Sequence, residues 1–480
     1  MLQQQSSDYN FLIQGDNLHS LKILEKTHRN KIDVIYIDPP YNTGNKDFIY
    51  NDCYVDNNDG YKHSKWLSFM SKRLEIAKNL LSKDGVIFIS IDDNEQAQLK
   101  LLCDGIFDNN NFVGCICRAT GTTTGQDANK IGSSLDYCLV YSRTNNFELK
   151  GIPLSEKDLK RFKEKDEKGL YSTLQLRKTG NEDRREDRPN MFYSVIAPDG
   201  SEVYPFGPSN YLSRWRVSKE SFNELLANNM IIWKNNHINE KIIIDGYEKS
   251  AWVPYVKYYA EGRTKQVSNL FIDLEGNKKA SIDLKNVIGN NKFSYPKPIE
   301  FIKILLQIGS NKDSIILDFF AGSGTTGHAV VQLNKEDGGN RRYILCTNNE
   351  NGICENVTYQ RLKNIQEDLP HKLKYLKTDF IDRFSDEDIG IKQKLMPYIK
   401  SLIELEYGCE IDNIHYIFIL TEEELEHYLT EDLTPKAKIF IAPYILLDQS
   451  QYALIHRKQA VLIDIPEYYF RNELVASGEL

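Results

Sequence analysis

Short apolar runs recur through the first 145 positions, with polar stretches of helical spacing between them. Residues 11–14, 34–37, 86–91 and 136–142 read as strands, and 18–26, 65–81 and 95–106 as helices. Strands alternating with helices of this length predict an α/β fold on a parallel sheet. From 146 the alternation stops. A charge run over 156–168 reads as helical, and short strands rich in Tyr, Trp and Phe follow, so 146–289 reads as an α+β insertion. The alternation returns at 290. Residues 314–320 read as a buried parallel strand, 328–333 as helix, 342–346 as strand and 357–369 as a polar helix. The segments 8–145 and 290–369 thus predict one sheet assembled from two distant parts of the chain. Within 370–480, apolar runs at 416–420, 437–442 and 460–463 predict a separate small α/β module.

Two turns in this pattern carry candidate chemistry. Asp38-Pro39-Pro40-Tyr41 closes the 34–37 run. The Asp38 carboxylate and the Pro39 carbonyl can both accept hydrogen bonds from an exocyclic amine. The two prolines, with fixed φ and no N–H, hold those acceptors still. Tyr41 offers a face for a base drawn out of its stack. Asp-Pro and Pro-Pro are also ordinary chain breakers, and the tetrapeptide alone fits a plain strand-to-loop turn as well. The second turn, Ala321-Gly322-Ser323-Gly324-Thr325-Thr326, follows Asp318-Phe319-Phe320 and leads into a helix. Glycine lets backbone approach a ligand, and a helix N-terminus presents free N–H groups. Gly322, Gly324 and Gly327 fit the spacing G-x-G-x-x-G, but no Lys precedes the Ser/Thr as a phosphate loop requires, so ATP is a poor fit. The string supports an adenosine-bearing ligand without choosing among such ligands.

Together the two turns resemble the S-adenosyl-L-methionine-dependent amino-methyltransferases of DNA. Their order, acidic turn before glycine turn, resembles the β group of adenine-specific enzymes. Gly15-Asp16-Asn17-Leu18 resembles the family's strand end whose acid approaches the cofactor adenine. Residues 66–93 resemble the helix and strand after the catalytic loop, and Phe293-Ser294-Tyr295-Pro296-Lys297-Pro298 the segment enclosing the methionine end. With 334–351 added, the resemblance is to the modification subunit of type III restriction-modification systems, over residues 8 to about 365.

The resemblance implies a Rossmann-like methyltransferase sheet with 8–145 as catalytic half, 146–289 as inserted target-recognition domain and 290–369 as cofactor half. It implies catalytic roles for Asp38, Pro39, Pro40 and Tyr41. Cofactor contacts would fall to Asp16, Lys297, Asp318, Phe320, Ala321, Gly322, Ser323, Gly324, Thr325 and Thr326. Nucleotide folds usually place an acid about 20 residues past the glycine turn to bind ribose. Here the strand at 342–346 ends in Thr347-Asn348-Asn349 and the first acid is Glu350; Asn348 and Glu350 both stand as candidates. The implied reaction is methyl transfer to adenine N6 in double-stranded DNA, with the base flipped out of the helix. N4-cytosine methylation uses the same geometry, RNA or protein methylation suits the insertion less well, and a catalytically idle specificity module recruiting a nuclease is the alternative of another class. A homodimer and a restriction helicase-nuclease partner follow from the resemblance alone.

The net charge of −8 argues against a DNA-binding chain when read as one number. Residues 371–480 hold 12 basic against 20 acidic residues and carry all of it, which suits 370–480 to protein contact. Residues 151–300 hold 25 basic against 21 acidic, and DNA contact needs only a local basic face. Arg177-Lys178, Arg184-Arg185, Arg188 and Arg214-Trp215-Arg216 are candidates to read bases or hold phosphates, and any one of them could equally be a solvated surface charge. The polar stretches 42–64 and 121–126 read as loops, the first closing over the flipped base, the second either facing the DNA or an ordinary solvated surface loop. Eight cysteines without zinc-ligand spacing fit buried thiols in a reducing cytoplasm and no metal site. With mean hydropathy −0.49, no apolar run approaches a membrane span, and the first residues lack a secretory pattern.

Overall fold

The computed structural model describes residues 9–44, 48–50, 53–54, 59–121, 132–236, 241–289, 293–381 and 394–478. Two compact units form, one from Met1–Lys150 with Val267–Leu480, the other from Gly151–Gln266.

In the first unit, strands β1 (Tyr9–Gln14), β2 (Ile32–Ile37), β3 (Leu81–Ile91), β4 (Phe112–Ala119) and β5 (Leu135–Ser142) come from the N-terminal segment. They alternate with helices α1 (Asn17–Thr27), α2 (Lys62–Leu80) and α3 (Gln96–Phe107). After the insertion come β6 (Leu270–Phe271), α4 (Asn277–Ile288), α5 (Ile299–Gly309), β7 (Ile315–Asp318), α6 (Thr325–Asp337), β8 (Arg342–Thr347) and β9 (Lys372–Lys377). The strand order is β6-β4-β5-β3-β2-β7-β8-β1-β9. Only β5 runs antiparallel to its neighbours, β3 and β4. Val34, Ile35 and Ile37 of β2 and Ile316 and Leu317 of β7 are fully buried, as central parallel strands covered on both faces must be. From β2 the chain steps to β3 on one side; from β7 it steps to β8 on the other. The sheet's topological switch therefore lies between β2 and β7, and the strand ends there are where α/β sheets receive ligands.

Four expectations need correction. The insertion closes at Gln266 rather than 289, because β6 pairs with β4 and α4 packs in the first unit. The boundary at 370 also moves. Strand β9 pairs with β1 from Tyr9↔Lys372 to Gln14↔Lys377, as a ninth strand of the main sheet. It alternates Lys and apolar residues and is nowhere fully buried, an edge pattern that charge on an outer strand explains and that a search for apolar runs misses. The charge run at 156–168 is helical only over Glu156–Leu159 and then enters a hairpin of Glu164–Asp166 with Gly169–Gln175. Asp166 accepts the Lys168 N–H at 3.0 Å and Gly169 takes φ 124°, a turn that overrides helical propensity. The polar helix expected at 357–369 is a wide turn over Cys354–Thr358 followed by helix Tyr359–Asn364.

The insertion's sheet orders Ile231–Asn235, Trp252–Tyr259, Gly169–Gln175 and Glu164–Asp166, all antiparallel. Leu176, Val195, Trp215, Phe222 and Val256 fill its core. At the C-terminus, α7 (Ile399–Tyr407), β10 (Tyr416–Ile419), α8 (Glu422–Tyr428), β11 (Lys438–Ile441), α9 (Gln449–Lys458) and β12 (Val461–Asp464) form a small layer around a three-stranded parallel sheet. It has its own core but belongs to the first unit. Lys26–Glu473, Lys31–Glu406 and Lys374–Glu404 pair across that junction at 2.6 Å each. Part of the acidic surplus therefore neutralises lysines of α1, its following turn and β9. No described helix is long and apolar enough to cross a membrane.

Candidate active site

Strands β2 and β7 pair in register through Val34↔Ile316 and Ile35↔Leu317. The acidic turn and the glycine turn, about 280 residues apart in sequence, thus leave adjacent strands at one edge of the sheet.

The acidic turn is held from behind. Trp66, fully buried on α2, donates its indole N–H to the Pro40 carbonyl at 2.7 Å, which leaves the Pro39 carbonyl outside that bond. Asn42 takes the left-handed conformation (φ 58°) that asparagine tolerates best after glycine. Its side chain donates to the Lys62 carbonyl at 3.2 Å and to Glu95 at 2.6 Å, and Glu95 in turn pairs with His63 at 2.7 Å. Asp38 keeps its carboxylate forward, about a quarter exposed, with both oxygens 2.7 Å from Lys297 Nζ. The same ammonium lies 4.9 Å from the centre of the Tyr41 ring. The Tyr41 hydroxyl is enclosed without a well-formed hydrogen bond, and burial, with the Asp38 charge adding, pushes its pKa far above the ordinary phenol value.

The glycine turn is built differently. Gly322 and Gly324 take φ 49° and 75°. A Cβ on Gly322 would come within 3.0 Å of the Phe293 ring, so bare backbone is required there. Asp318 folds back into its own turn, accepting the Phe320 N–H at 3.0 Å and the Thr326 hydroxyl at 2.5 Å. Burial, opposed by those bonds and aided by the Asp38 charge, raises its carboxyl to about 7. Ser323 and Thr325 share a bond at 3.1 Å, and buried Arg361 donates to Thr325 at 2.8 Å and to the Ser323 carbonyl at 3.3 Å. Thr358 donates to the Gly322 carbonyl at 2.6 Å. Phe320 is half-buried and Ala321 buried beside it.

Around the pair, Asp16 caps α1 by accepting the Leu18 N–H at 2.8 Å and meets Arg73 at 3.4 Å, with its side chain half exposed. Asn17 ties that strand end to the glycine turn through the Phe319 carbonyl at 2.9 Å. Asn348 and Glu350 follow β8, both exposed, Glu350 in a short turn Glu350–Gly352. Lys297 sits with Asp38, not on the glycine turn, but its segment reaches both, since Phe293 lies against Gly322. The residues that sequence reasoning passed over are Asn17, Trp66, Arg73, Glu95, Thr358 and Arg361. Of these Asn17, Trp66 and Arg73 stood inside recognised segments, without a role assigned to them.

In the insertion, Arg177 and Arg214 are buried, bonded to Asp183 at 3.2 Å and to the Glu182 carbonyl at 2.5 Å, and Trp215 is core. Arg216 is tied to the Gln175 carbonyl at 3.1 Å. Arg184 and Arg188 stay exposed, so the plain structural role falls to the first group and an outward one remains open to the second. Residues 122–126 and much of 45–58 lie outside the described residues.

The sequence profile of the DNA methylase family matches residues 32–361. The chain is 32% identical over 390 residues to the type III restriction-modification enzyme EcoPI Mod subunit of Escherichia phage P1, covering 72% of this chain and 59% of that protein. It is 30% identical to the StyLTI Mod subunit of Salmonella typhimurium, over 76% of this chain and 57% of the relative. Against the type II methyltransferase M.KpnI of Klebsiella pneumoniae it is 34% identical, over 77% of this chain and 88% of that one. The chain thus spans less than two thirds of the length of the two Mod relatives.

Proposed function

That match makes the chain a member of the DNA methylase family, and on this premise we propose that it transfers a methyl group from S-adenosyl-L-methionine to the N6 amine of adenine in double-stranded DNA. The observation carrying the proposal is the in-register pairing of β2 with β7, which sets an amine-accepting turn beside a ligand-accepting one. S-adenosyl-L-methionine supplies an electrophilic methyl on a sulfonium. The Asp38 carboxylate and the Pro39 carbonyl accept the two amine hydrogens and keep the nitrogen lone pair directed at that methyl. They stabilise the positive charge developing on nitrogen, which is electrostatic preorganisation with negative groups aimed at a forming cation. Tyr41 gives the flipped base a stacking face, and the hydrogen bonds from Trp66 and Asn42 keep the turn in place.

The residues around the glycine turn fit an adenosine-bearing cofactor: backbone is bare at Gly322, Asp16 is half exposed, and Lys297 supplies a cation. Asp318, Thr325 and Thr326 serve that site by shaping the turn from within. For the ribose, Glu350 or Asn348 at the end of β8 is the candidate. Exposed Arg184 and Arg188 support DNA contact by Gly151–Gln266, the part proposed for target recognition. The two Mod relatives are subunits of restriction-modification enzymes, and the proposal extends to a restriction partner and a second copy of this chain. Digestion of DNA from an expressing host to nucleosides, followed by mass spectrometry, tests the reaction. N6-methyl-2′-deoxyadenosine is expected; N4-methyl-2′-deoxycytidine would move the assignment to cytosine, and unmodified DNA would remove it.

A further inference from the structure

Lys297 stands where the proposed target amine has to bind. Its ammonium meets both oxygens of Asp38 at 2.7 Å and lies over the Tyr41 face at 4.9 Å. Acceptor and stacking surface, the two elements assigned to the base, are thus already engaged by one side chain. Among the described residues it is the only cation within 4 Å of Asp38. An ammonium held there would also oppose the chemistry, because it repels the positive charge developing on the amine nitrogen.

The backbone around Lys297 is positioned to serve two sites. Pro296 and Pro298 flank it, Pro298 being the N-cap of α5, and Tyr295 holds φ 62°, so the main chain is stiff on both sides. Phe293, four residues earlier, lies against Gly322 of the glycine turn. The movable part is the four-carbon stem of the lysine itself.

Resting on the methyltransferase reading above, we propose that Lys297 couples the two turns: it competes with the target amine for Asp38 and is drawn off by the carboxylate of the cofactor's amino-acid end. Cofactor binding then frees Asp38 for the base. Because linkage is reciprocal, any change that releases Lys297 from Asp38 must also strengthen binding of the carboxylate-bearing ligand.

The test needs no DNA. Titration calorimetry measures S-adenosylhomocysteine, and methylthioadenosine as the analogue without a carboxylate, against wild type, Asp38→Asn, Lys297→Met and the double variant. Asp38→Asn is expected to bind S-adenosylhomocysteine about fivefold tighter or more, the lower end of typical coupling, with methylthioadenosine unchanged. Lys297→Met should bind S-adenosylhomocysteine more weakly than wild type, and adding Asp38→Asn to it should change nothing further. Asp38→Ser serves as a second release variant should the amide fail to fold. Unchanged or weaker binding by the Asp38 variants, or an equal gain for methylthioadenosine or in the Lys297→Met background, overturns the coupling alone. Absence of binding by wild type would instead remove the cofactor reading, and the coupling with it.

Discussion

Asp38 and Asp318 end neighbouring strands of the same sheet, yet their surroundings are opposite. Asp318 is sealed, its oxygens committed to Phe320 and Thr326 and its ionisation opposed by burial. Asp38 is open at the front and meets a flexible cation instead of fixed backbone. The difference separates an aspartate that shapes a loop from one that acts on a ligand. Both lie in motifs, so the motif by itself does not make that distinction; the hydrogen-bond partners do.

The largest expected effect breaks the open side. Asp38→Ala should lower methyl transfer by at least about 100- to 1000-fold, the scale on which a single preorganised electrostatic contact acts, while S-adenosylhomocysteine still binds in calorimetry. Near-normal turnover would erase the contrast with Asp318.

Next comes the support of the sealed side. Arg361→Met removes buried donors from Ser323 and Thr325, and should cost about 2 kcal/mol in urea unfolding, within the range for stranding buried acceptors. It should also weaken S-adenosylhomocysteine binding, whereas a substitution acting only on the acidic turn would not.

The smallest effect is one of pH. The Asp318 carboxyl is raised from 3.8 to about 7 in the folded chain, so the native state holds a proton that the unfolded chain releases. Stability contributed at this position is therefore intact below about pH 4, falls as pH rises towards 7, and stays lost above it. Asp318→Asn should flatten that part of the profile, seen as a smaller decline in urea midpoint between pH 4 and 7 than in wild type. An identical decline in both would mean that Asp318 is ionised in its turn.

Most of the sheet was legible because its central strands are buried on both faces and read as unbroken apolar runs. β2, β3, β7 and β8 fall where hydrophobicity placed them, give or take a few residues. Strands with mixed character escaped. β4 (Phe-Val-Gly-Cys-Ile-Cys-Arg-Ala) carries a register shift between Phe112 and Gly114, and β9 alternates with lysine. In the site, the two turns were legible as strings of unusual residues. Their supports were not. Arg361 holding Ser323 and Trp66 holding Pro40 are single side chains whose partners lie 26 to 38 positions away, and no local pattern announces them. The basic residues of the insertion show the converse, since Arg177 and Arg214 look outward in the sequence and point inward in the fold.

The separation of β2 from β7 bears on how the chain is made. Residues 32–37 leave the ribosome early and soon find β3, but the other edge of β2 has no partner until residues 315–318 have been synthesised. In that interval a strand of Ile, Val and Tyr presents unpaired backbone, the situation in which nascent chains pair wrongly or aggregate. Closing so long a loop also makes this contact slow to form. Truncation anywhere before β7 should accordingly yield a product that is poorly soluble and not merely inactive.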